Sequence, residues 1–218
     1  MKILHGFSQK EPMHTLCTSY GLEPVHVPFL EHEGLNFDEP KEIPDVVLVS
    51  SARTIQYWGV WGQWIRTHNI LVIAISKKTQ RALYDEGISS FCAQGTGSLL
   101  VKMLDEIHCS SFVHIGAAEL SSKLQLALMA QNRPYSRIPV YLSRPNPDFT
   151  VAEDVMLGCV NSERCAMIWS VHAPHVPIVC IGQTTSVRAH ELGLNVQGVA
   201  RTPTREALVE VAASVLRK

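Results

Sequence analysis

Short apolar, β-branched runs alternate with amphipathic helical stretches along nearly the whole chain, and that rhythm admits few folds. It predicts parallel sheets covered by helices, because each strand must cross over through a helix to reach a parallel neighbour. The predicted strands are Lys2–His5, Pro24–Pro28, Val46–Ser50, Ile70–Ile75, Ser90–Ala93, Phe112–Ile115, Arg137–Leu142, Ala166–Ser170, Ile178–Ile181 and Val196–Ala200. Most stop at Gly, Ser or Pro. The predicted helices are Glu11–Tyr20, Ala52–Thr67, Lys77–Glu86, Gly97–Ile107, Glu119–Gln131, Thr184–Glu191 and Pro203–Leu216. So many strands exceed one doubly wound sheet for 218 residues, and two sheets of about five strands fit better.

An internal repeat supports the division. Residues 71–88, LVIAISKKTQRALYDEGI, match residues 177–194, PIVCIGQTTSVRAHELGL, with Thr79 on Thr185 and Gly87 on Gly193. Each copy reads as a buried strand, a polar turn, a threonine in the first helical turn and a glycine after the last. Two Pro-rich segments, PVHVPFLEHEGLNFDEPKEIP and RIPVYLSRPNPDFT, look like connections between lobes. If the chain leaves by the first and returns by the second, residues 1–28 and 144–218 form one discontinuous lobe and residues 29–143 an inserted one. The segments near 24–32 and 137–147 would then pair as a two-stranded hinge ribbon.

Composition narrows the function. A net charge of −1 offers no basic field for nucleic acid or an anionic membrane, so an anionic ligand must be held by local groups. No apolar run reaches spanning length, and MKILHGFSQKEP lacks the plan of a signal peptide, so a soluble cytoplasmic protein is expected. The six cysteines are scattered without a CxxC pair, which reads as reduced core thiols. No metal site is expected: Pro174 spoils the helical presentation of His172 and His175, leaving a loop with two solvated histidines. GxGxxG, GxxxxGK[ST] and GxSxG are all absent, which removes the usual dinucleotide, P-loop and acyl-transfer signatures. Tyr57, Trp58, Trp61 and Trp64 recur at nearly helical spacing and read as a packed face.

Ligands of open parallel sheets bind outside the carboxyl ends of the strands, beside helix N-termini whose amides and dipole favour anions. The chain offers Ser50 and Ser51, Ser76 with Thr79, Gly116 and Ala117, Ser170, and Gly182, Gln183, Thr184 and Thr185 at such ends. Each hydroxyl could also simply cap its helix; the grouping at successive strand ends carries more weight than any one member.

The segments VVLVSSARTIQYW, VIAISKKTQRALYDEGI, VHIGAAELSSKLQLALMAQNRPYSRIPVYLSRP and VCIGQTTSVRAHELGLNVQGVARTPTREALVEVA together resemble the uroporphyrinogen-III synthase family. The stretch IGQTTSVRAHELGL followed by TPTREAL carries the resemblance furthest. It implies two flavodoxin-like α/β lobes with parallel sheets, one discontinuous, joined by a two-stranded ribbon, with the substrate in the cleft between them. It also implies a reaction: hydroxymethylbilane, a linear tetrapyrrole with eight carboxylates, loses its terminal hydroxyl as water, inverts ring D through a spiro intermediate and closes. No cofactor is implied. By resemblance Tyr141 matches the tyrosine proposed to assist hydroxyl departure, and Thr79 and Thr185 match threonines lining the cleft. A monomer, receiving unstable substrate by transient contact with hydroxymethylbilane synthase, is the expected arrangement.

The chain departs from that pattern in three places. The first strand runs into His5-Gly6-Phe7 where the family has a Thr-Arg-Pro-like turn, and His114-Ile115-Gly116-Ala117 lacks the usual arginine. Only WSVHAPHVPIV separates two predicted strands where the family has a full helix, which predicts a thin face on that lobe. From these departures comes the alternative expectation, a two-lobed anion- or tetrapyrrole-binding module without catalysis.

Overall fold

A computed structural model describes residues 1–7, 10–38, 41–94, 97–120, 122–130 and 134–217. In chain order the first elements are β1 (Lys2–His5), α1 (Lys10–Ser19), β2 (Glu23–His26), β3 (Leu30–Gly34), β4 (Val46–Val49) and a 3₁₀ turn at Ala52–Gln56. Next come α2 (Trp61–His68), β5 (Leu71–Ala74), α3 (Lys77–Asp85), β6 (Phe91–Cys92), α4 (Gly97–Glu106), β7 (Phe112–Ala117) and α5 (Ser122–Met129). The remainder is β8 (Tyr135–Pro145), β9 (Val155–Val160), α6 (Glu163–His172), β10 (Ile178–Cys180), α7 (Gln183–Glu191), β11 (Val196–Val199) and α8 (Arg205–Leu216).

The chain divides into two compact units: unit 1 is Met1–Glu31 with Arg144–Lys218, and unit 2 is His32–Ser143. Strands β3 and β8 run across the division points and are neighbours at one edge of unit 2's sheet.

Unit 1 is a parallel sheet in the order β11-β10-β9-β1-β2. Counted within the unit this is the flavodoxin-type order 2-1-3-4-5. Alternate residues supply its two faces, as a strand's period of two requires. Ile3, Leu157 and Val179 pack with Met13 of α1 and Leu208 of α8, while Leu4, Ile178 and Cys180 pack toward Trp169 of α6. Trp169 is fully buried, and its indole N–H donates to the Val176 carbonyl at 3.0 Å. Gly158 in β9 makes room for it: a Cβ there would lie 2.4 Å from the indole.

Unit 2 has the order β3-β8-β7-β4-β5-β6, and its pairs from β8 to β6 are parallel. Without β3 this is the doubly wound order 3-2-1-4-5, which reverses between β4 and β7. One face packs Val47, Val49 and Ile115 with Trp58, Trp61 and Leu83, and the other packs Leu48 and Phe112 with Leu100, Leu104 and Leu128. Trp58 and Trp61 are thus core residues, as the packed-face reading expects.

Four expectations are corrected. Ala166–Ser170 is not a strand but the middle of α6, begun by Ser162, whose Oγ accepts the Cys165 amide. The strand of that region is β9, upstream, so the face expected to be thin carries a helix after all. Ser170 therefore sits in a last helical turn, donating to the Met167 carbonyl at 2.8 Å, and not at a strand end. The helix expected at 52–67 is interrupted: the 3₁₀ turn stops at Tyr57, Gly59 takes φ +53°, and α2 begins only at Trp61. Of the helix expected at 119–131, residues 121 and 131 lie outside the described residues, as do Asn132 and Arg133 after it.

Candidate active site

In unit 1, β10 leads into Gly182, which N-caps α7 with extended backbone at φ −177° and ψ 172°. Ser76, Ser162 and Thr204 cap α3, α6 and α8 with their own oxygens, but glycine has none to offer. The first-turn amides of α7 therefore keep their donors for a guest. That turn borders a cavity of about 610 Å³ lined by Gly182, Gln183, Thr184, Thr185, Arg201 and Pro203. Gln183 and Thr184 are exposed, and Thr185 is buried beneath them. Arg201, just past β11, adds a cation to the same cavity. Sequence reasoning passed over Arg201, although an arginine directly after a predicted strand end was a readable signal.

The repeated element in unit 2 has the same backbone and a different chemistry. Gly87 and Gly193 both take left-handed φ, +74° and +72°, just past their helices, as the matched glycines require. At α3, however, Ser76 Oγ accepts the Thr79 amide at 3.3 Å and lies 3.0 Å from Thr79 Oγ1. Thr79 is buried, so this helix start is closed by its own hydroxyls. Ser51 is also a cap, accepting the Arg53 amide at 3.2 Å.

Ser50, at the end of β4, does different work. Its Oγ lies 2.9 Å from Nε2 of His114, a residue of β7 that is 1% exposed. Burial holds the His114 imidazole down at about 4, and the positive charge of Arg137 adds to the effect. Gly116 and Ala117 finish β7 in register with β8. The next amide, of Ala118, donates to the Tyr141 carbonyl at 2.7 Å. Arg137 donates to the carbonyls of Ala117 and Ala118 at 3.2 and 2.9 Å. This strand end is thus tied to β8 and is not an open helix start.

Tyr141 is buried on β8, with its ring flanked by Tyr57 and, edge-on at 6.1 Å, by His32. Tyr57 donates its hydroxyl to the His32 carbonyl at 3.2 Å, and His32 Nδ1 lies 2.9 Å from Ser143 Oγ. These four residues all belong to unit 2.

Unit 1 also holds three histidines at the ends of β1 and β2 and on α1. His5 is fully buried, with ring centroids 5.3 Å from His14 and 5.1 Å from His26. Burial drives the His5 imidazole down to about 3, helped by His26 and His14. Among the described residues no group of three or more His, Cys, Asp or Glu is arranged to hold a metal ion. Also among them, no helix is long and apolar enough to cross a membrane. Burial raises the thiols of Cys17 and Cys180 to about 11, so they are core groups rather than nucleophiles. A larger cavity, about 740 Å³, is lined by the first residues of β7 and β8 and by the loop around Asp38. It therefore lies away from the strand ends where α/β proteins bind ligands.

Two doubly wound sheets, one with an open helix N-terminus and an arginine at its carboxyl edge, define an α/β protein suited to an anionic small molecule. A family model, uroporphyrinogen-III synthase HemD, matches residues 11–210, and the chain belongs to that family. Its function is that of a uroporphyrinogen-III synthase, and the alternative of an anion- or tetrapyrrole-binding module without catalysis is not favoured. The fold is similar to that of uroporphyrinogen-III synthetase from Helicobacter pylori, with TM-score 0.72, 16% identity, and coverage of 98% of this chain and 99% of that one. It is also similar to a mutant uroporphyrinogen III synthase from Thermus thermophilus, with TM-score 0.65, 14% identity, and coverage of 99% of this chain and 98% of that one. A comparison with curated proteins finds no significant match.

Proposed function

We propose that the chain acts as a cyclising lyase on hydroxymethylbilane, expelling water, inverting ring D and closing the macrocycle with the residues described above. The observation that carries the assignment of residues is the α7 N-terminus, which has no side-chain cap and borders a cavity with Arg201. Eight carboxylates need many modest donors, and free amides beside one cation provide them without a large net charge. Gly182, Gln183, Thr184 and Arg201 hold substrate carboxylates, with Thr185 shaping the floor. In unit 2, Ser50 supplies a hydroxyl, while Ser51, Ser76 and Thr79 fix the backbone around them and Gly116 and Ala117 hold the strand end.

Tyr141 donates a hydrogen bond to the departing hydroxyl. General-acid assistance of this kind contributes typically about 10²–10⁴-fold. The remaining task is positional, because the free substrate can close without inversion and the enzyme must hold it folded for the inverted closure. In this reading the enzyme is a cytoplasmic monomer that receives its substrate by transient contact with hydroxymethylbilane synthase.

The test is a coupled assay with freshly made hydroxymethylbilane, followed by oxidation and separation of the type I and type III isomers. Type III product that depends on this protein supports the proposal. Type I alone, at the spontaneous rate, overturns it.

A further inference from the structure

We propose that His114 is a positioning residue that turns the Ser50 hydroxyl outward as a hydrogen-bond donor for a substrate carboxylate. The inference rests on the reading that Ser50 meets substrate. The pair stands where the strand order of unit 2 reverses, between β4 and β7, and open α/β sheets bind ligands outside the carboxyl ends at such a point. Leu48 is the residue of β4 in register with His114, and the imidazole reaches along the same face to Ser50, two residues further on.

Proton placement decides what the serine can do. A neutral imidazole carries one N–H, on Nδ1 or on Nε2. Among the described residues Nδ1 of His114 is buried with no hydrogen-bond partner, whereas Nε2 lies 2.9 Å from Ser50 Oγ. A proton on Nδ1 would leave a buried donor unsatisfied, which is the rarer and costlier defect; a bare lone pair is tolerated more readily. The proton therefore sits on Nε2 and is donated to Ser50 Oγ. The serine's own hydrogen is then free to point away from the imidazole, toward the half-exposed side. With the opposite tautomer the hydroxyl would be spent on the imidazole and would present only lone pairs, which repel a carboxylate.

Gly116 keeps the arrangement open. A Cβ at that position would lie 2.5 Å from Ser50 Oγ and 3.0 Å from His114 Nε2. Arg137, on the adjacent strand β8, is the charged group that bears on His114, and its charge favours the neutral ring.

Two measurements test the proposal. Nitrogen-15 spectra of histidine-labelled wild-type protein at neutral pH read the tautomer directly: the Nε2–H form is expected, and Nδ1–H overturns the proposal whatever the activity. In kinetics, His114→Leu and Ser50→Ala should each raise KM about 10-fold with kcat little changed, as loss of uniform binding does. The double variant should be no worse than either single one, and His114→Gln, which keeps a donor, should recover most of the loss. Multiplying effects in the double variant, or an unchanged KM in either single variant, overturn the proposal. A wild type that forms no type III product defeats the functional reading instead, and the tautomer is still read.

Discussion

The ring of Tyr57 lies against that of Tyr141, with centroids 5.4 Å apart and planes inclined by 27°. Tyr57 is itself anchored by its hydroxyl to the His32 carbonyl, so the phenol assigned to the reaction is held by a second phenol that is tied to the backbone. Tyr141→Phe should lower kcat about 10²–10⁴-fold while leaving the melting temperature nearly unchanged, since one hydroxyl is lost and the ring remains. Tyr57→Phe keeps the stack and should retain most activity, whereas Tyr57→Ala removes it and should lower kcat. Equal kcat in Tyr57→Ala and wild type would show that the stack does not position Tyr141.

Gly182 takes a backbone conformation open to any residue, and among the described residues a Cβ there meets nothing within 4 Å. Gly182→Asp should therefore fold and place a carboxylate on the α7 amides where substrate is expected to dock. KM should rise at least several-fold, with thermal stability equal or slightly higher, because aspartate caps a helix better than glycine by only a few tenths of a kcal/mol. An unchanged KM in a folded variant excludes this helix start from binding.

Two buried histidines set an acid limit on stability. His5 and His114 have folded values of about 3 and about 4, both below the ordinary 6.5, for which desolvation is the leading cause. Between pH 6.5 and about 4 the unfolded chain takes up protons at these sites and the folded chain does not. The contribution of these two groups to stability is therefore fully present above pH 6.5 and falls as the pH drops, by up to about 1.4 kcal/mol per pH unit for each group. Urea midpoints from about pH 7 to pH 4 should show this slope, and His114→Leu should flatten it by about one proton. A slope unaltered by that substitution would remove His114 from the account.

Gly158 and Trp169 provide a packing test in the core of unit 1. Gly158→Ala would set a methyl 2.4–2.9 Å from three indole carbons, so the ring and α6 must shift. A loss of roughly 1–3 kcal/mol is expected from such overpacking, read as a lower urea midpoint. A midpoint equal to that of wild type would mean that the indole has an alternative seat.

Periodicity and punctuation made much of the fold legible. The paired glycines at 87 and 193 were recognisable because only a left-handed residue ends both helices at the same offset from a threonine. Ala166–Ser170 misled because a short apolar run fits a buried strand and a buried helix equally; Ser162, three residues before an amide it caps, was the better guide. The candidate site was legible only in outline. Thr79 and Thr185 occupy matched positions, yet one neighbouring residue, Ser76 or Gly182, decides whether the helix start is closed or open. The neighbours of Tyr141 and His114 come from distant stretches of chain, where no local pattern points to them.

The register of β1 bears on how the molecule is made. Its flanking strands are β2, which follows at once, and β9, whose Val155 pairs with Lys2. Unit 2 is one unbroken stretch from His32 to Ser143, so everything its core needs leaves the ribosome together. Unit 1 has to keep its opening strand in waiting, with the edge meant for β9 unpaired and the Leu4 face without α6, until about 130 further residues follow β2 and close that sheet. During synthesis the N-terminal βαβ segment therefore offers an open strand edge to mispairing and to chaperones, even though in the finished protein β1 lies inside its sheet.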